Sequence, residues 1–221
     1  MRHYLLLTTL LITATAAQAG VIVGGTRLVY PGDKKEASLT VSNTDDINYL
    51  IQTSVDGNKG VKAPFLVTPP LFRLNARQEN VLRIIYTGGN LPQDRESLYW
   101  LNVKSIPSTT QYQDINTLQI AIKTRIKLIY RPSTISGIPE DAAGTLKWRR
   151  SGNSLVVDNT SPYYMNFQSI TINGKKLPKI SYAAPKSETH FDIPTTISGN
   201  TVAWKIINDY GSISKEWKAA F

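Results

Sequence analysis

Apolar side chains along this chain recur at every second position, and no segment carries a sustained apolar stripe at helical spacing. The clearest case is Asn116–Pro132, NTLQIAIKTRIKLIYRP. Leu118, Ile120, Ile122, Ile126, Leu128 and Tyr130 share one parity; Gln119, Ala121, Lys123, Arg125, Lys127 and Ile129 share the other, which is mostly polar. A period of two places these sets on opposite faces of a β-strand. The pattern predicts one strand over Leu118–Tyr130, much longer than the usual five or six residues. A strand of that length outruns its own sheet, so Leu118, Ile120 and Ile122 are expected to lie beyond the cover of their own domain. Proteins normally blunt such an edge because it invites aggregation. Where one is kept, it suits the addition of another chain's strand. A long central strand of an ordinary sandwich accounts for the same alternation.

Further strands are expected near Val21–Tyr30, Ala37–Val41, Tyr49–Val55, Phe65–Thr68, Leu71–Leu74, Val81–Tyr86 and Leu98–Ser105. Turn chemistry separates them: Pro31-Gly32-Asp33, Asp56-Gly57-Asn58, Pro69-Pro70 and Gly88-Gly89-Asn90. A cis bond at Pro69-Pro70 would suit a strand that changes sheets. Ser133–Gly144 is polar, contains Gly and Pro, and has no strand pattern, so residues 135–144 read as a linker. Strand rhythm then restarts at Leu146–Arg149, Ser154–Asp158, Tyr163–Ile172, Leu177–Ile180, Thr189–Ile193, Thr201–Asn208 and Ile213–Lys218, with a hairpin signal at Asn173-Gly174. The expected fold is all-β: two immunoglobulin-like β-sandwich domains in tandem, 20–134 and 145–221.

The first nineteen residues read as a secretory signal peptide. Arg2 and His3 precede the apolar run Tyr4–Ala17, and Ala17-Gln18-Ala19 is a small-x-small cleavage site. That run is too short for a membrane span of about 20 residues, and no later stretch is long and apolar enough, so stable membrane insertion is not expected. Cysteine is absent, which removes disulfides, thiol catalysis and Cys-rich metal sites. The formal charge is +9 and falls to +8 without Arg2. This basic balance suits an acidic partner or surface, but Lys and Arg are scattered and no nucleic-acid-binding motif is present.

Little catalytic chemistry is available. His190 is the lone histidine after the leader, there is no Gly-x-Ser-x-Gly, and no ligand spacing suggests a metal. Gly24-Gly25 and Gly88-Gly89 lack the lysine and helix of a phosphate loop. Asp94 and Glu96 would share a strand face about 7 Å apart, but Arg95 and neighbouring cations favour ion pairing. No enzyme activity, cofactor or metal is expected.

Five stretches narrow the reading: Thr26-Arg27-Leu28-Val29-Tyr30, Leu91–Asn102 (LPQDRESLYWLN), Ile126–Pro132 (IKLIYRP), Asn159–Tyr164 (NTSPYY) and Ile207–Gly211 (INDYG). Together, in this order and spacing, they resemble the periplasmic chaperones of the chaperone–usher pilus pathway, across essentially the whole chain after the leader. The resemblance implies two domains set at an angle around a cleft, with location in the periplasm. It implies that Arg27 and Lys127 anchor the C-terminal carboxylate of a pilus subunit, and that Leu118, Ile120 and Ile122 complete the subunit's unfinished sandwich. It also implies that Glu96, Arg131 and Asp209 tie the domains together. Asn159, Pro162 and Tyr163 match a structural signature of the second domain. The implied partners are pilus or fimbrial subunits and the outer-membrane usher, with self-association as a way to cover Leu118–Ile122. The short segment Ile106–Thr117 resembles that of chaperones serving rod-type or composite adhesive pili. A fimbrial subunit or adhesin remains the structural alternative, disfavoured by two domains and no cysteine; a cell-wall hydrolase is disfavoured by the missing motifs.

Overall fold

A computed structural model describes residues 20–57, 62–108 and 118–221. The signal peptide expected at 1–19 lies outside the described residues, as does 109–117, most of the short segment before the long strand. The first domain stacks two sheets. One has the order β1 (Val21–Val23), β3 (Glu36–Asn43), β7 (Glu79–Tyr86), β5 (Phe65–Thr68). The other runs β2 (Arg27–Pro31), β9 (Ile122–Arg131), β8 (Ser97–Pro107), β4 (Tyr49–Asp56), β6 (Leu71–Leu74). Between them lies a core that includes Tyr30, Val41, Ile51, Leu82, Ile84, Leu101 and Leu128. The strands alternate buried and exposed side chains, as a sheet with one wet face must.

The run Val21–Tyr30 is two strands. β1 pairs antiparallel with β3 in one sheet, whereas β2 pairs parallel with β9 in the other. Gly24 and Gly25 make the crossing: the Gly24 N–H donates to the Thr40 carbonyl at 2.8 Å, and a Cβ on Gly24 would meet that oxygen at 3.0 Å. A second change of sheet separates β5 from β6 at Pro69-Pro70. The cis bond there is Thr68–Pro69 and not Pro69–Pro70.

The long strand is also shorter than its pattern. β9 begins at Ile122, opposite Ser105, and Leu118–Ala121 lie outside any strand. The β8–β9 ladder ends at the Ser105–Ile122 pair, while β8 runs two residues further, to Pro107, still paired with β4. Gln119 instead hydrogen-bonds the Pro107 carbonyl through its side-chain amide.

The second domain stacks β10 (Lys147–Ser151), β11 (Ser154–Asn159), β15 (Ser187–Asp192) against β13 (Lys175–Lys176), β12 (Met165–Ile172), β16 (Thr201–Ile206), β17 (Trp217–Ala220); β14 (Tyr182–Ala183) also pairs with β12. Trp148, Leu155, Met165, Ile170 and Trp204 fill its core. Asn173-Gly174 forms the two-residue turn between β12 and β13, both residues at positive φ. Leu177–Ile180 is not a strand: Pro178 interrupts it, although Leu177 is buried in the core. The last strand starts at Trp217 rather than Ile213, which makes only an isolated bridge with Ile207. Residues 135–144 are more than a tether. They hold α1 (Pro139–Ala143), with Pro at its start, and Ile135 and Ala143 pack on the second core.

Candidate functional site

Parallel pairing of β2 with β9 sets Arg27 and Lys127 side by side as register partners. Neither strand could supply this pair alone; the sheet brings the two cations together. Arg27 is 9% exposed, and its Nη1 donates to the Ile207 carbonyl of the second domain at 3.0 Å. Its buried Nε has no acceptor. The Lys127 Nζ donates to Asn166 Oδ1 at 2.5 Å and lies 5.2 Å from the centre of the Tyr182 ring. Burial and then the Arg27 charge pull the Lys127 pKa from 10.5 down to about 8, and burial also lowers that of Arg27. A desolvated cation pair of this kind favours a bound carboxylate, which would form charge-assisted hydrogen bonds with both.

Leu118, Ile120 and Ile122 are 87%, 64% and 57% exposed. Ile122 opens β9, while Leu118 and Ile120 lie just upstream of it, so these side chains lead directly into the strand that carries Lys127.

Arg131 joins the domains. Its Nε donates to Glu96 Oε1 at 2.7 Å, and Nη1 and Nη2 grip Asp209 at 2.7 and 2.8 Å. Glu96 is buried, and its Oε2 accepts the Tyr164 N–H at 2.7 Å. Burial raises the Glu96 pKa despite the Arg131 charge. For Arg131, burial opposes the charged form, but Asp209 and Glu96 outweigh it and raise the pKa. The loop bearing Asp209 meets the first domain closely: Gly211 has φ +84, and a Cβ there would approach Thr26 Oγ1 to 2.9 Å.

Asn166, Tyr182 and the exposed interdomain pair Lys186–Asp94, 2.6 Å apart, escape sequence reasoning. Asn166 lies two residues beyond the NTSPYY stretch, and no local pattern marks it as facing Lys127. Asp94 pairs with Arg95 and Lys186, and Glu96 with Arg131, so the two carboxylates serve separate ion pairs. His190 is exposed on β15 opposite Val156. Among the described residues no group of three or more His, Cys, Asp or Glu is arranged to hold a metal, and no helix is long and apolar enough to cross a membrane.

Two packed β-sandwiches, a basic pair where they meet and an exposed apolar run beside it define a protein-binding class of molecule. Residues 20–136 match the PapD N-terminal domain of pili and flagellar-assembly chaperones, and residues 141–218 match the PapD C-terminal domain of pili assembly chaperones. The chain belongs to the PapD family of pilus-assembly chaperones. It is 42% identical to the chaperone protein FimC of Escherichia coli K12, covering 92% of this chain and 86% of FimC. It is 41% identical to the chaperone protein LpfB of Salmonella typhimurium, covering 96% and 95% of the two chains. A chain from the Salmonella enterica complex of SafA pilin with the SafB chaperone superposes with a TM-score of 0.86 at 38% identity, over 94% of this chain and 99% of that one.

Proposed function

We propose that this protein is a periplasmic chaperone that binds, folds and caps pilus subunits by lending them a β-strand and delivers them to the outer-membrane usher. The observation that carries this is the run of exposed Leu118, Ile120 and Ile122 leading into the strand that bears Lys127. A subunit with an unfinished sandwich would bury these three side chains, each worth about 1.5–3 kcal/mol when fully covered, and would pair its backbone with Leu118–Ile122. Arg27 and Lys127 would hold the subunit's C-terminal carboxylate. That anchor sets the register, because a slip of one residue would turn Gln119 and Ala121 into the groove. Strand exchange at the usher would then release the subunit. Between subunits, self-association through Leu118–Ile122 would cover the apolar run.

Co-purification from the periplasm tests this. Wild-type protein is expected to retain a co-expressed pilus subunit near equal stoichiometry, and Lys127→Ala to lose it while keeping its circular dichroism spectrum. A folded Lys127→Ala protein that retains the subunit as well as wild type would remove the carboxylate anchor.

A further inference from the structure

The basic pair and the interdomain ion trio are parts of one hydrogen-bonded unit, and Asn166 is where they meet. Glu96 Oε2 accepts the Tyr164 N–H at 2.7 Å, the Tyr164 carbonyl accepts from Asn166 Nδ2 at 3.2 Å, and Asn166 Oδ1 accepts from Lys127 Nζ at 2.5 Å. A second path runs beside the first. The Ile207 N–H donates to the Asn166 carbonyl at 2.7 Å, the Ile207 carbonyl accepts from Arg27 Nη1 at 3.0 Å, and Asp209, two residues on, holds Arg131. Asn166 is 3% exposed, so its amide is fixed on both sides. Only its oxygen can face an ammonium, since both groups would otherwise be donors.

We propose that Asn166 is a positioning residue of the anchor: from the second domain it holds the Lys127 ammonium in the cleft without neutralising it, leaving both cations to an incoming carboxylate. The assignment rests on the anchoring role proposed above. A neutral acceptor matters here because an aspartate has almost the same shape. It would keep the hydrogen bond but place a resident anion on Lys127, in competition with the subunit's terminus. Positioning from the second domain also makes capture depend on how the two domains are set, because any shift of β12 away from β9 separates Asn166 from Lys127.

The test uses Asn166→Asp in the full-length protein with a co-expressed pilus subunit, together with NMR titration of the Lys127 ε-methylene signal. The charged groups around this signal are Arg27 on β2 and, through Arg27, Glu96 and Asp209; the neutral ring of Tyr182 on β14 faces it as well. Subunit retention is expected to fall about tenfold or more, and the Lys127 midpoint to rise by about one pH unit or more, as beside any close opposite charge. Wild-type retention by Asn166→Asp, when Lys127→Ala loses the subunit, would overturn the role of Asn166. Retention by Lys127→Ala would overturn the anchor itself. Should Asn166→Asp fail to fold, Asn166→Ser decides: its shorter hydroxyl withdraws the acceptor, so the Lys127 midpoint is expected below the wild-type value, and an unchanged midpoint would refute the proposal.

Discussion

Burial and the Arg27 guanidinium lower the Lys127 pKa from 10.5 to about 8, and the resulting pH effects on stability and on capture run in opposite directions. Between those two values the unfolded chain binds more protons than the folded one, so this residue makes the folded protein more stable as pH rises from about 8 to 10.5. Below about 8 its burial cost is fully present. Carboxylate capture needs the charged ammonium, so subunit retention is expected to weaken as pH rises through about 8. Thermal melting and co-purification over that range check the two halves separately. Lys127→Arg, which stays charged, is expected to flatten the capture profile. At this scale Arg27 and Lys127 were named from two separate sequence motifs, and the sheet sets them as register partners. They were silent on Asn166, because its approach to Lys127 depends on packing between domains and not on spacing within a strand.

The segment Leu118–Arg131 changes character along its length. Leu128 is fully buried between the sheets, whereas Ile120, upstream of the strand, is well exposed. Substitutions at the two positions should therefore separate folding from binding. Leu128→Ala is expected to cost about 2–5 kcal/mol in urea unfolding. Ile120→Asp is expected to change stability by about 0.5 kcal/mol or less yet abolish subunit co-purification. A stable Ile120→Asp protein that still held its subunit would remove Leu118–Ile122 from the interface. If the subunit's terminus sits at Lys127 and its last strand lies along Leu118–Ile122, that strand runs toward β9 in the same direction as the donor, making the pairing parallel. Alternation was enough to place these side chains on one parity. It could not show where pairing stops: the ladder ends at Ser105–Ile122, although β8 runs on to Pro107. The same limit applies to Val21–Tyr30, where a continuous apolar pattern conceals a change of sheet at Gly24-Gly25.

At the scale of the whole molecule, Arg131 holds two carboxylates from different domains. Removing it would leave the Glu96 carboxylate buried without its cation, a loss of about 3–5 kcal/mol. Arg131→Ala is therefore expected to uncouple the domains, turning one urea transition into two. Because the Glu96 pKa is already raised, this cost should shrink in mild acid, where Glu96 becomes neutral. A single unchanged transition would show that the trio does not couple the domains. Two all-β units were legible from strand rhythm and turn residues, and the restart after residue 144 marked the second. The packing of 135–144 on the second core was not, because its few apolar residues, Ile135, Ile138, Ala142 and Ala143, are interrupted by Gly137 and Pro139.

The parallel pairing of β2 with β9 has a consequence for how the chain acquires its activity. β2 lies near the start of the first domain and β9 at its end, with β3 to β8 formed between them. Contacts so distant in sequence pay their loop-closure entropy late, and they slow folding. A chain emerging from its N-terminus exposes Arg27 long before Lys127 is available to pair with it. If that closure comes last, the basic pair is complete only when the first domain is whole, and a half-folded copy would lack the proposed anchor that sets a subunit's register.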